Sequence, residues 1–103
     1  KELDRANVIL LMVSSHFLAS DFCWSVEMQR AMERHASGSA VVVPVLLRPC
    51  LWEESPFAKL QVLPKDAKPI SAHRDTDQVW MEVASSIRRI VQARSKGNQG
   101  GLP

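Results

Sequence analysis

The chain has 103 residues, 46% of them hydrophobic and 23% charged, with a formal net charge of +2. That length gives one domain as the expectation, and the composition is that of an ordinary globular protein. The charge is too small to argue for nucleic acid or an anionic membrane as a partner. No apolar run reaches the ~18 residues of a membrane span, and no secretory signal opens the chain. Two cysteines, Cys23 and Cys50, form no CxxC pair and no Cys/His cluster with metal-ligand spacing, so no metal is expected and reduced thiols are.

In chain order, Lys1–Ala6 reads as the end of a helix. Val8–Val13, VILLMV, is apolar without alternation, which predicts a strand buried on both faces, as in a parallel sheet covered by helices. Ser14 and Ser15 end it. Ser20 is a candidate N-cap, with Asp21 favourable in the first turn, for a helix running to about Ala36. On that helix Trp24, Met28, Ala31, Met32, His35 and Ala36 share one apolar arc, widened by Phe22 and Val26. Glu27 falls at the border of the arc, about two turns in, with Arg30 and Arg34 on the polar side. Gly38 closes the helix.

Ala40–Leu47, AVVVPVLL, predicts a second buried strand, in which Pro44 requires an edge or a bend because it has no ladder donor. Arg48–Pro69 carries four prolines and is too long for a plain connection. Trp52, Phe57, Leu60 and Leu63 are its expected anchors, and Lys68–Ser71 a short third strand. Asp75 with Gln78 resembles a capping box. It opens a helix from about Thr76 to Arg94 in which Val79, Trp80, Val83, Ala84, Ile87, Ile90 and Val91 recur at three and four. Gly97 is the expected stop, leaving residues 96–103 as a tail or linker. Strand, helix, strand, loop, strand, helix gives an α/β fold with a parallel sheet. Since Val8–Val13 looks buried on both sides, a further strand is expected beside it, and the segment is expected to be part of a longer protein.

Few residues carry chemistry. Glu27 stands out because it is an acidic residue near the carboxyl end of a strand, where open parallel sheets bind ligands. The competing reading is a surface glutamate paired with Arg30. No second carboxylate is obviously matched with it, so a glycosidase-type pair is not visible. His16, His35 and His73 are far apart and share no motif; packing or a helix-end role suits His35. Cys23 lies near a helix start, where a thiol pKa can fall, but burial and inertness are commoner. Ser14, Ser15 and Ser20 have no G-x-S-x-G around them, and all four glycines lie at Gly38 or beyond Arg94, so no phosphate loop exists. Trp24, Trp52 and Trp80 are most simply core anchors.

The run ANVILLMVSSHFLASDFCWSVE, then VVVPVLLRPC, PFAKLQVLPKDAKPIS and DQVWMEVASSIRRIV resembles the TIR domain in its bacterial form, from about Glu2 to Ala93. The most specific part is the serine-rich strand end followed by S-D-F-C and a glutamate four residues after the cysteine. VPVLLRPC with its following tryptophan is the second signature. Phe22 departs from the pattern, since many relatives have Trp or Tyr there. The resemblance implies a flavodoxin-like sheet of five parallel strands, of which residues 1–95 would be the C-terminal two-thirds, without the first two strands. It implies cleavage of NAD+ between nicotinamide and ribose, with NAD+ as substrate and no resident cofactor. Glu27 would be the essential carboxylate, and Ser14, Cys23 and Trp24 would adjoin the nucleotide, Cys23 as a residue shaping the site. It further implies a cytoplasmic signalling or defence protein that self-associates with other TIR domains, and in some members interaction without catalysis. A receiver or flavodoxin-type domain is a third reading, which needs acidic residues or a phosphate loop at a first strand.

Overall fold

The computed structural model describes residues 7–99, with side chains to residue 94. It is a small α/β unit. Strand β1 (Val8–Val13) and strand β2 (Val41–Leu46) pair in parallel, Ile9 opposite Val42 and Leu11 opposite Pro44. Between them run a short helix α1 (Ser15–Ala19), a 3₁₀ turn (Phe22–Trp24) and helix α2 (Val26–Ser37). A long connection with 3₁₀ turns at Trp52–Glu54 and Ile70–Ala72 leads to helix α3 (Thr76–Gln99).

Two apolar layers sandwich the pair of strands. On one face Ile9, Leu11 and Val13 of β1 and Val42 and Leu46 of β2 pack with Met28 and Ala31 of α2, Cys23, Phe57 and Val62. On the other, Val43 and Val45 pack with Leu63, Ile70 and with Val79 and Val83 of α3. The helices therefore cover opposite faces, and β2 is buried on both. Phe57, fully buried, holds the connection to the core, and its ring meets Phe17 at 6.0 Å between centroids. Burying one such side chain contributes about 2–3 kcal/mol.

β1 differs from the expected doubly buried strand. Leu10 and Met12, on the α3 side, are 38% and 44% exposed, against 4% for Ile9 and 3% for Leu11. Helix α3 lies over β2 and reaches β1 only at Val8. The other edge of β1 has no strand among the described residues. Apolarity alone cannot distinguish a covered face from one awaiting a cover.

The third strand expected at Lys68–Ser71 is absent: Ile70–Ala72 forms a 3₁₀ turn between Pro69 and His73. The third ladder contact is instead a single parallel bridge from Val45 to Leu63, with Leu46 N–H donating to Leu63 O and Leu63 N–H to Pro44 O. Pro64 ends it there. The expectation for Pro44 is met in detail. Val41 and Leu47 donate toward β1, to Asn7 O and Val13 O, whereas Leu46 donates away from it. By alternation the Pro44 nitrogen faces away from β1, where no donor is needed. On the same outer edge Val42 N–H donates to His35 Nδ1 at 2.9 Å.

The helix expected from a Ser20 cap to Ala36 is divided at Ser25 into a 3₁₀ turn and α2, and the separate α1 precedes Ser20. Ser20 Oγ donates back to Phe17 O and Ser25 Oγ to Phe22 O, at 2.6 and 2.7 Å. Such back-bonding offers the chain an alternative to helix continuation. Each serine also opens the next turn: Ser20 Oγ accepts from Cys23 N–H, and Ser25 Oγ accepts from Met28 N–H as N-cap of α2. At the other end of α2 Gly38 takes φ 85°, the left-handed turn that favours glycine. Arg94, late in α3, donates to Gly38 O and Ser39 O at 2.9 and 3.0 Å, tying the two helices together. Asp75 caps α3 through Gln78 N–H, as expected. The helix then continues through Gly97 to Gln99 rather than stopping at Gly97, a glycine costing only about 1 kcal/mol within a helix. The expected helix end at Lys1–Ala6 lies outside the described residues, as does the tail from residue 100.

His35→Leu leaves the Val42 N–H without its acceptor on a buried strand. Urea unfolding is expected to show a loss of about 1–3 kcal/mol. His35→Asn, whose Oδ1 can reach the place of Nδ1, is expected to recover part of it.

Candidate functional site

The carboxyl end of β1 leads directly into the residues singled out by sequence. Ser14 is the N-cap of α1: its Oγ accepts from Phe17 N–H at 3.2 Å, and its carbonyl from Leu18 N–H at 3.0 Å. Its acceptor capacity serves the turn, and the hydroxyl proton remains to be given. Phe17 meets Phe22 at 6.0 Å as well as Phe57, so this turn is anchored by three aromatic rings.

Cys23 is completely buried in the layer under α2. Burial pushes its thiol up from the ordinary range, opposite in direction to the effect of a helix start. Cys23 is thus part of the floor of this region. Trp24 behaves in the opposite way to a core anchor: it is 59% exposed, and its Nε1–H donates to Leu18 O at 2.9 Å. The indole is held on the surface by its polar edge. Val26, 61% exposed, lies two residues further on.

Glu27 lies in the first turn of α2, not two turns into a longer helix, and it is exposed. The break at Ser25 makes the difference. A crossover helix runs antiparallel to its strands, so its first turn stands at the carboxyl end of β1. A carboxylate there is stabilised by the unsatisfied N–H groups of the helix start. An exposed indole fixed at one edge and an exposed carboxylate three residues later can together present a ring-stacking face and a negative charge to a ligand.

The histidines are dispersed. His16 is exposed on α1, His35 accepts from Val42 N–H, and His73 Nε2 lies 3.0 Å from Lys68 O and 3.8 Å from Asp66. No group of three His, Cys, Asp or Glu side chains suited to a metal occurs among the described residues. Nor is any helix among them long and apolar enough to cross a membrane. Cys50, half-buried, has its thiol raised by burial and by the Glu53 charge, against a lowering from its hydrogen bond with the Trp52 backbone. The sequence did not single out Arg48 or Trp80 for function; with Leu47, Ile70, Ser71 and Thr76 they line a cavity of about 320 Å³ at the end of β2. Arg48 was visible within the VPVLLRPC run and Trp80 as an expected core anchor on a helical stripe, neither with a ligand role.

The chain is 51% identical over 86 residues to an uncharacterized protein, y4lF, of Sinorhizobium fredii (strain NBRC 101917 / NGR234), a match that takes in 84% of this chain and 27% of that protein. The chain thus spans about a quarter of the length of the curated relative it matches. No known family profile and no solved structure matches the chain.

Both thiols are expected to react slowly. In the native protein a thiol-modifying disulfide at pH 8 should label Cys50 first and Cys23 only on unfolding, as read by mass spectrometry of the peptides. A raised thiol pKa means that the folded state holds its proton longer than the unfolded chain. Stability is therefore expected to be unaffected below the ordinary thiol range and to fall as pH rises through it.

Proposed function

We propose that this segment belongs to a TIR-type domain of flavodoxin-like architecture that cleaves NAD+ between nicotinamide and ribose, with Glu27 as the key carboxylate. The observation that carries the reading is an exposed carboxylate in the first turn of the crossover helix, at the carboxyl end of β1, three residues after the tethered Trp24. The quoted motifs from Ser14 to Glu27 and from Val41 to Trp52 agree with it.

The chemistry asks for little machinery. As the ribosyl C–N bond breaks, its electron pair goes to the nicotinamide ring, which leaves neutral, and positive charge builds on the sugar. A preorganised carboxylate stabilises that charge electrostatically. A water oxygen then bonds to the sugar carbon and releases a proton. No general acid is needed for a leaving group that is already cationic, so one carboxylate suffices. In this reading Trp24 offers its ring face to the nucleotide, Ser14 its remaining hydroxyl proton, and Cys23 packs beneath them. The flavodoxin-like sheet would be completed by strands beyond the outer edge of β1. The protein would work in the cytoplasm, in signalling or defence, and assemble with other TIR domains.

A second reading is an interaction module without catalysis. The exposed Trp24 and Val26, which adjoin Glu27, favour it as much as they favour a ligand face.

Glu27→Gln separates the two. It keeps the size and hydrogen-bonding capacity of the side chain and removes the charge. In the complete protein, NAD+ hydrolysis is expected to fall by ~100-fold or more, the scale of losing one transition-state contact. Stability should change little, because Glu27 is exposed and buries no large apolar area. Arg30→Gln is the comparison: if Glu27 serves only in a surface pair, both changes are mild and similar. Parent-rate hydrolysis by Glu27→Gln would overturn the enzymatic role of this residue.

A further inference from the structure

We propose that the cavity between the end of β2 and the first turns of α3 is a second ligand site, taking one planar aromatic ring system with an anionic substituent. It lies on the face of the sheet opposite α2, and so opposite Glu27, and nothing in the proposed cleavage of NAD+ uses it.

The floor is apolar, formed by Leu47 and by Ile70, which is 4% exposed. Arg48 is part of the lining. Its guanidinium is exposed and makes no hydrogen bond or ion pair with any described residue. Trp80 lines it too, 43% exposed although it sits on the buried-stripe spacing of α3. The Ser71 and Thr76 hydroxyls complete the lining. The rim is not a loose loop. Ser71 N–H donates to Leu47 O at 3.1 Å, fixing the Ile70–Ala72 turn against the strand end immediately before Arg48.

Each lining group suggests a part of the ligand. Arg48 matches a carboxylate or phosphate, which a guanidinium recognises in a fork geometry. Trp80 matches the face of a ring. The hydroxyls suit a polar ring edge. The place itself, outside the carboxyl ends of parallel strands, is where open α/β sheets bind ligands. A volume of about 320 Å³ lies at the lower end of small-molecule clefts, so it suits a ligand no larger than a mononucleotide and not a dinucleotide. Asp75 is engaged with Gln78 N–H, and Asp77 adds an exposed negative charge in the first turn of α3.

A nucleoside monophosphate and an aromatic carboxylate share this chemistry, and the test distinguishes them. The protein is titrated calorimetrically with AMP and with nicotinate, and separately with adenosine and with inorganic phosphate. Saturable binding of AMP or of nicotinate is expected, with adenosine and phosphate each at least about tenfold weaker, because each supplies only half of the contacts. Arg48→Gln is expected to weaken the bound probe by about tenfold or more, the loss of a charge-assisted hydrogen bond. Arg48 is exposed, so this variant should fold normally; Trp80→Leu is expected to weaken the ring-bearing probe by a similar factor, and Trp80→Phe, which keeps a ring, to weaken it less. Glu27→Gln should bind as the parent does, so failure of the NAD+ reading leaves this site standing. Absence of binding by both AMP and nicotinate, unchanged affinity in Arg48→Gln, or phosphate alone binding as well as AMP would each overturn the proposal.

Discussion

The architecture depends on satisfying β2 on four sides at once. Its side chains are buried on both faces, by α2 in one layer and α3 in the other. Its main chain is paired with β1 along one edge. Along the other edge each even-numbered residue is handled differently: Val42 by the His35 imidazole, Pro44 by having no donor, and Leu46 by Leu63 O. A buried donor left unpaired costs about 1–3 kcal/mol, a large part of the stability of a small domain. The long proline-rich connection exists in part to bring Leu63 to that edge. Its passage across the sheet also carries the chain from the α2 face to the α3 face.

The chemistry-bearing residues depend on the same arrangement. With α2 antiparallel to the strands and α3 tied to the far end of α2 by Arg94, the starts of both helices stand at the carboxyl end of the sheet. Glu27 and Trp24 come up on one side of that end, Arg48 and Trp80 on the other. The serines between β1 and α2 make the first pair possible. The stop at Ser25 separates the 3₁₀ turn from α2, with Trp24 and Glu27 exposed on either side of it and Cys23 buried beneath.

Much of this was legible in the sequence. The two apolar runs, the Gly38 stop, the Asp75 cap and the period of α3 each express one dominant local force, and each lies where expected. The misses share a cause. Ser20–Ala36 reads as continuous because its apolar spacing is helical, but the serine hydroxyls compete for the carbonyls that a helix would use, and spacing does not register such competition. A short third strand is expected at Lys68–Ser71, whereas pairing with β2 falls to Leu63, a choice fixed by tertiary geometry. Leu10 and Met12 are as apolar as Ile9 and Leu11, so nothing in β1 itself announces which face α3 leaves uncovered. Glu27 was recognisable as a residue of interest, while its place in a first turn was not.

Pro44, faced away from β1, has an effect beyond filling its place on the outer edge. Sliding β2 by one residue against β1 would turn the proline nitrogen inward, to a point where the ladder requires a donor. The same slip would exchange the two apolar layers, and since both layers are lined by valine and leucine, hydrophobicity alone would object weakly. The proline thus acts as a register key. In a strand whose two faces are nearly interchangeable, one missing hydrogen atom discriminates the correct alignment from its nearest competitor.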